Sequence, residues 1–185
     1  MKAMAIATAG LVLSVSVSAA VLPATEVRTT PYDPYLGVFR QIAARPASAN
    51  AVTMDQVEEW TWKASKFDYS HDDDYHWKTP EQLDAAGAGD CKDKALWLYS
   101  KLHAAGAHDL TMVIGKKDAA ATEYHAWLYL RLGGKTFLLD PTTDGRVWEV
   151  TDFGESEYIP VYGYMAGRAF AYGTSDPRYG AVASR

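Results

Sequence analysis

Cys91 is the only cysteine in a chain of 185 residues, and it stands in Gly89-Asp90-Cys91-Lys92-Asp93-Lys94-Ala95. His125 follows 34 residues later, and Asp140 follows 15 residues after that. A thiol, an imidazole and a carboxylate are the groups that acyl transfer through a thioester requires. A helix N-terminus offers a thiolate free backbone N–H groups and the positive end of the macrodipole. A neighbouring imidazolium stabilises the thiolate and later protonates a leaving amine. A carboxylate orients the imidazole and favours its charged form. The backbone N–H of Cys91, with one side-chain donor, can hold the oxyanion of a tetrahedral intermediate. Each residue alone has a plainer reading: a core thiol, a structural strand histidine, and a turn aspartate ahead of Pro141. The case rests on the three together.

The elements around them must bring them into one place. Thr53 and Gln56 form a capping-box pattern ahead of Met54, Val57, Trp60, Ala64 and Phe67, which recur at helical spacing. Thr79-Pro80-Glu81-Gln82 repeats the signal with proline at the first helical position, and that helix stops at Gly87. A third helix runs from about Cys91 to Ala105, with Cys91, Ala95, Leu98, Tyr99 and Leu102 on one face. The periodicity then turns strand-like at Leu110–Ile114, 124–132, 136–140, 147–150 and 158–162. Gly133-Gly134 reads as a hairpin turn. Counted from that turn, His125 and Asp140 are offset by about two residues, within reach on neighbouring strands. Helices followed by antiparallel strands give an α+β fold, with helices packed on one side of a sheet.

Residues 1–20 read as a signal peptide: Lys2, an apolar run from Ala3 to Val17, and the small-residue site Val17-Ser18-Ala19-Ala20. The plainer alternative is an uncleaved anchor, but the run is short and alanine- and serine-rich. An exported chain with one thiol has no internal disulfide to make, which leaves an incidental thiol, a dimer bridge or a nucleophile. Residues 21–53 read as an N-terminal arm, extended in part and packing through Tyr32, Tyr35, Leu36 and Phe39, with a disordered linker an equal reading for its first third, and residues 54–185 as the catalytic domain. With 48% hydrophobic residues, the chain can bury a sizeable core. Loss of Lys2 with the signal takes the formal net charge from −5 to −6, so neither composition nor patterning suggests a nucleic-acid partner or a membrane-surface helix. No stable span is expected in the mature chain.

Four segments together resemble the bacterial transglutaminase-like cysteine proteinases. They are Trp77-Lys78-Thr79-Pro80-Glu81-Gln82-Leu83, Gly87 through Ala95, His125-Ala126-Trp127-Leu128, and Leu138-Leu139-Asp140-Pro141. The late segment Tyr158-Ile159-Pro160-Val161-Tyr162 is similar to the family's C-terminal pattern. The family includes the periplasmic protease that releases large surface adhesins. The resemblance covers about residues 54 to 165. It implies a papain-like fold with Cys91 as nucleophile, His125 as general base and acid, and Asp140 as orienting carboxylate. It also marks Trp77 as a cleft or oxyanion-side residue, beside the simpler role of core packing.

The adhesin-releasing members are calcium-dependent and carry acidic residues on both sides of the nucleophile. Here Asp90 matches, but Lys92 stands where a glutamate is usual. A lysine has no oxygen to offer Ca²⁺. No cofactor is required for the chemistry, and calcium control does not follow automatically. Asp90, Asp93 and the loop Asp72-Asp73-Asp74 remain as oxygen donors for a different site, although a solvated acidic loop is the simpler reading.

The sequence thus points to an exported, periplasmic cysteine endopeptidase with a protein substrate of the cell envelope. A regulatory binding protein remains open. Two further readings stand beside it. The same triad serves other acyl transfers, as a peptidoglycan peptide amidase or a transglutaminase, because only cleft and acceptor differ. A binding module retaining the fold without activity is the third.

Overall fold

Thr53 accepts the Gln56 N–H, and the Gln56 side-chain oxygen accepts the Thr53 N–H, so the first capping box forms. Thr79 and Gln82 repeat it. The structure, a computed structural model, describes residues 24–71 and 75–173. The signal segment 1–20 and the loop Asp72-Asp73-Asp74 lie outside the described residues.

Four helices are present among these residues: α1 (Gly37–Ala43), α2 (Met54–Ser65), α3 (Pro80–Ala86) and α4 (Cys91–Ala104). The strands are β1 (Ala24–Val27), β2 (Asp68–Tyr69), β3 (Ala88–Gly89), β4 (Leu110–Asp118), β5 (His125–Leu132), β6 (Lys135–Leu139), β7 (Val147–Glu149), β8 (Glu157–Met165) and β9 (Arg168–Tyr172). Seven of them make one antiparallel sheet in the order β1-β9-β8-β4-β5-β6-β7. The two-residue strands β2 and β3 pair in parallel beside the start of α4.

Helix α4 is central. Buried residues lie around most of it, including Leu96 and Trp97 as well as the expected Ala95, Leu98, Tyr99 and Leu102. A helix covered on nearly every side carries its polar residues into the core, and each then needs a partner. Lys94 donates to the Phe67 carbonyl at 2.9 Å, and Trp97 Nε1 donates to Asp84 Oδ1 at 2.7 Å.

Residues 24–53 carry more regular structure than the extended arm expected from their proline and threonine content. Leu36, Phe39 and Ile42, three residues apart, are buried in the main core, and Phe39 meets Tyr99 of α4 edge-on at 4.9 Å. Strand β1 adds to the sheet edge beside β9.

The sheet is covered on both faces. Ala126, Leu128 and Leu130 face the helices, while Trp127 and Tyr129 join Val113 and Leu138 in a second cluster. Trp148, Val150, Phe153 and Tyr158 close that cluster from outside. No described helix is long and apolar enough to cross a membrane.

Candidate active site

Asp90 caps α4. Its Oδ1 accepts the N–H of Lys92 at 3.1 Å and of Asp93 at 3.3 Å. Cys91 is therefore the first helical residue, with orphan N–H groups around it. The approach to it is fixed by packing. Gly87 ends α3 at φ 69°, a left-handed cap that favours glycine. A Cβ on Gly89 would come within 2.9 Å of the Asp93 Cβ and 2.7 Å of Leu83 Cδ1. These glycines serve the helix end and the close packing of β3 on α4.

Buried Asp93 ties the preceding segment down. Its Oδ1 accepts the Lys78 N–H at 2.8 Å and its Oδ2 the Lys78 ammonium at 3.1 Å. That bond holds Trp77 against the cleft. Trp77 is both a core residue and a wall of the cleft that contains Cys91.

The β5–β6 hairpin delivers the other two groups. Its register pairs Leu128 with Leu139, so the next position, Asp140, falls opposite Trp127, two residues from His125. His125 Nε2 meets Asp140 Oδ2 at 2.9 Å. Cys91 and His125 line the same cleft. With Nε2 engaged by Asp140, Nδ1 is the ring nitrogen left to serve a thiol. The structure thus brings Cys91, His125 and Asp140 together in that order.

Burial opposes the charge on His125, but the hydrogen bond to Asp140 and the neighbouring Cys91 side chain outweigh it and raise its pKa to about 9. For Asp140, burial favours protonation. Hydrogen bonds from His125 and Thr142, and the charges of His125 and Lys117, win and hold the carboxyl well below the usual range.

Three partners of Asp140 were not assigned to it in the sequence reading. Thr142 gives its N–H (2.9 Å) and hydroxyl (2.7 Å) to Oδ1. Tyr158 donates its hydroxyl to Oδ2 at 2.9 Å, and Lys117 Nζ lies 3.4 Å from the same oxygen. The Asp-Pro-Thr-Thr turn is a readable signal for Thr142, since an aspartate commonly binds the N–H two residues on. Nothing local marks Tyr158 or Lys117. They come from β8 and β4.

Gly115 of β4 pairs with His125, and a register shift follows Ile114 on the β8 side. This bulge lets the Ile159 carbonyl and the Trp127 ring approach Gly115 closely. It seats the strand carrying His125.

The cleft at Cys91 has a volume of about 240 Å³. Tyr32, Tyr69, Tyr75, Trp77 and Tyr124 line it with Glu123. Tyr32 reaches it from the N-terminal segment and meets Tyr124 edge-on at 5.9 Å.

The donor set does not fit an oxygen-ligated calcium ion. No group of three or more His, Cys, Asp or Glu side chains is gathered as metal ligands among the described residues. Both carboxylates flanking Cys91 face lysines instead, Asp90 with Lys92 and Asp93 with Lys78.

No protein-family model and no curated protein sequence matches the chain. Solved structures do. LapG of Legionella pneumophila in EGTA-treated form aligns with a TM-score of 0.57 at 20% identity, over 78% of this chain and 82% of that one. Its calcium-bound form aligns with a TM-score of 0.55, also at 20% identity, over 78% of this chain and 83% of that one. The chain is similar to LapG in fold, in agreement with the α+β arrangement of helices packed on an antiparallel sheet expected from the sequence.

Proposed function

We propose that the protein is an exported cysteine endopeptidase that hydrolyses a cell-envelope protein through Cys91, His125 and Asp140. The observation that carries this reading is the cleft that Cys91 and His125 share, with His125 hydrogen-bonded to buried Asp140 behind it. The fold shared with LapG supports it. The signal-like segment 1–20 supports export to the periplasm, with residues 21–53 as an arm on a catalytic domain spanning 54–185.

In the first half-reaction the Cys91 sulfur attacks the scissile carbonyl carbon. The C–S bond forms and the carbonyl π electrons move to oxygen, where the Cys91 N–H and a cleft donor on the Trp77 side hold them. The intermediate collapses, the C–N bond breaks, and the leaving nitrogen takes a proton from His125. A thioester and a free amine result. In the second half-reaction His125 removes a proton from water, the hydroxide adds to the thioester, and the C–S bond breaks. The acid is released and the thiolate–imidazolium pair is restored. Asp140 keeps the imidazole oriented and favours its charged form throughout.

The test is cleavage of periplasmic and outer-membrane protein extracts by the wild type and by Cys91→Ala. Loss of defined cleavage products with an unchanged circular dichroism spectrum is expected. An unaltered cleavage rate in Cys91→Ala would sink the proposal. Release of soluble peptides from purified sacculi, or incorporation of an amine donor into protein, would move the chain to another acyl transfer on the same residues.

A further inference from the structure

We propose that the ammonium of Lys92 is a fixed internal cation for the nucleophile, so that the reactivity of Cys91 needs no divalent metal. The inference rests on the reading of Cys91 as the nucleophile. Its starting point is the use made of every carboxylate oxygen around that thiol.

Asp90 Oδ1 accepts two backbone N–H groups at the start of α4, and Asp90 Oδ2 is paired with Lys92 Nζ. Both side chains are largely withdrawn from water, at 13% exposure for Lys92 and 7% for Asp90. Asp93 Oδ1 accepts the Lys78 N–H, and its Oδ2 accepts the Lys78 ammonium and the Asp90 N–H at 3.4 Å. All four oxygens therefore have donors from this chain. A calcium ion takes six to eight oxygen ligands. To use these it would have to displace two ammonium groups and unpair backbone N–H groups in the core.

The pairing also has a consequence for the thiol. Asp90 is the residue before Cys91, and an uncompensated carboxylate there repels a thiolate. Charge–charge terms are strong where water is excluded, so a cation on Asp90 matters most in this setting. A metal-dependent site supplies that cation from solution. Lys92 supplies it from the residue after Cys91. Lys92 is thus a positioning residue. It acts on Cys91 through Asp90, from the wall of the same cleft.

The experiment compares Cys91 alkylation by iodoacetamide at neutral pH, and thermal melting, in excess EGTA and in excess calcium chloride. The wild type is expected to show the same rate and the same Tm in both. Lys92→Gln is expected to react about tenfold more slowly, the effect of one lost charge interaction of ordinary size, while Lys92→Arg stays within a few-fold of wild type. Loss of reactivity in EGTA, or a calcium-dependent rise in Tm, overturns the inference. So does a Lys92→Gln variant that reacts at the wild-type rate. If that variant does not fold, the wild-type comparison still decides. A wild-type Cys91 no faster than a free thiol would instead defeat the protease reading, and the melting comparison would still report whether a divalent ion binds.

Discussion

Tyr158 donates its hydroxyl to Asp140 Oδ2 at 2.9 Å, the same oxygen that His125 Nε2 meets at 2.9 Å. One oxygen of a buried carboxylate thus serves three strands, β5, β8 and, through Lys117 at 3.4 Å, β4. Thr142 occupies the other oxygen with two donors. A carboxylate so surrounded is locked in place, and with it the plane of the imidazole. Burial and the Asp140 charge push the Tyr158 hydroxyl pKa up, so it remains a donor.

Tyr158→Phe removes one charged hydrogen bond and keeps the ring, which packs edge-on against Trp127 at 5.4 Å. The expected loss of stability is about 1.5–3 kcal/mol, the usual worth of a hydrogen bond to a charged group. Urea denaturation measures it. Oδ1 and the His125 contact survive, so cleavage is expected to remain within about tenfold of wild type, one pKa unit's worth of interaction. Unchanged stability would mean that the hydroxyl is replaceable by water.

The titrations of His125 and Asp140 set the pH range. The His125 value of about 9 lies above its unfolded value of 6.5. Its stabilisation is therefore complete below pH 6.5 and is lost as pH rises through about 9. Asp140 lies below its unfolded value of 3.8, so its stabilisation is complete above that pH and is lost as pH falls through the folded-state value. If the imidazolium is the acid that protonates the leaving amine, kcat/KM should fall on the alkaline side near pH 9. Asp140→Asn removes the charge that raises His125, and the alkaline limb should move to lower pH. A limb that stays put in Asp140→Asn would separate Asp140 from the His125 titration.

Residues with local signals were legible in the sequence. The capping boxes at Thr53 and Thr79, the stop at Gly87 and the His125–Asp140 offset across Gly133-Gly134 all follow from short-range rules, and the structure contains them. Helix α1 was not legible. Its seven residues make less than two turns, and only the burial of Phe39 and Ile42 in the main core gives them a reason to be helical. Burial around α4 was hidden for the opposite reason: Asp93 and Lys94 look like surface residues until Lys78 and the Phe67 carbonyl, distant in sequence, arrive to pair them. The same holds for Tyr158 and Lys117, whose contact with Asp140 exists only after β4, β5 and β8 are side by side.

Gly115→Ala tests the bulge beside His125. The added methyl group would collide with the Ile159 carbonyl oxygen and the Trp127 ring. The backbone oxygen cannot rotate away, so β4 or β8 must shift. Overpacking of this kind costs about 1–3 kcal/mol. Because Gly115 pairs with His125, the shift should also lower kcat more than it raises KM. A fall in Tm with normal kcat would show that His125 is seated independently of the bulge.

The last prediction concerns the rim of the cleft. Among the described residues, three of the four large, exposed hydrophobic side chains, Tyr35, Tyr69 and Tyr75, gather on this side of the molecule. Tyr69 and Tyr75 line the cleft, and Tyr35 stacks on Tyr75 at 4.9 Å with an interplanar angle of 27°. Tyr75 is 64% exposed, so its ring stabilises the fold little, and truncation should leave Tm close to wild type. A stacked pair of tyrosines at a cleft mouth suits an extended peptide whose apolar or planar groups lie across it. Tyr75→Ala is therefore expected to raise KM for a protein substrate several-fold, consistent with about 0.5–1.5 kcal/mol for an aromatic contact, with little change in kcat. Alkylation of Cys91 by a small reagent should be unaffected, because such a reagent does not need the rim. Slower alkylation in Tyr75→Ala would place the tyrosine in the support of the nucleophile, and an unchanged KM would remove the rim from substrate binding.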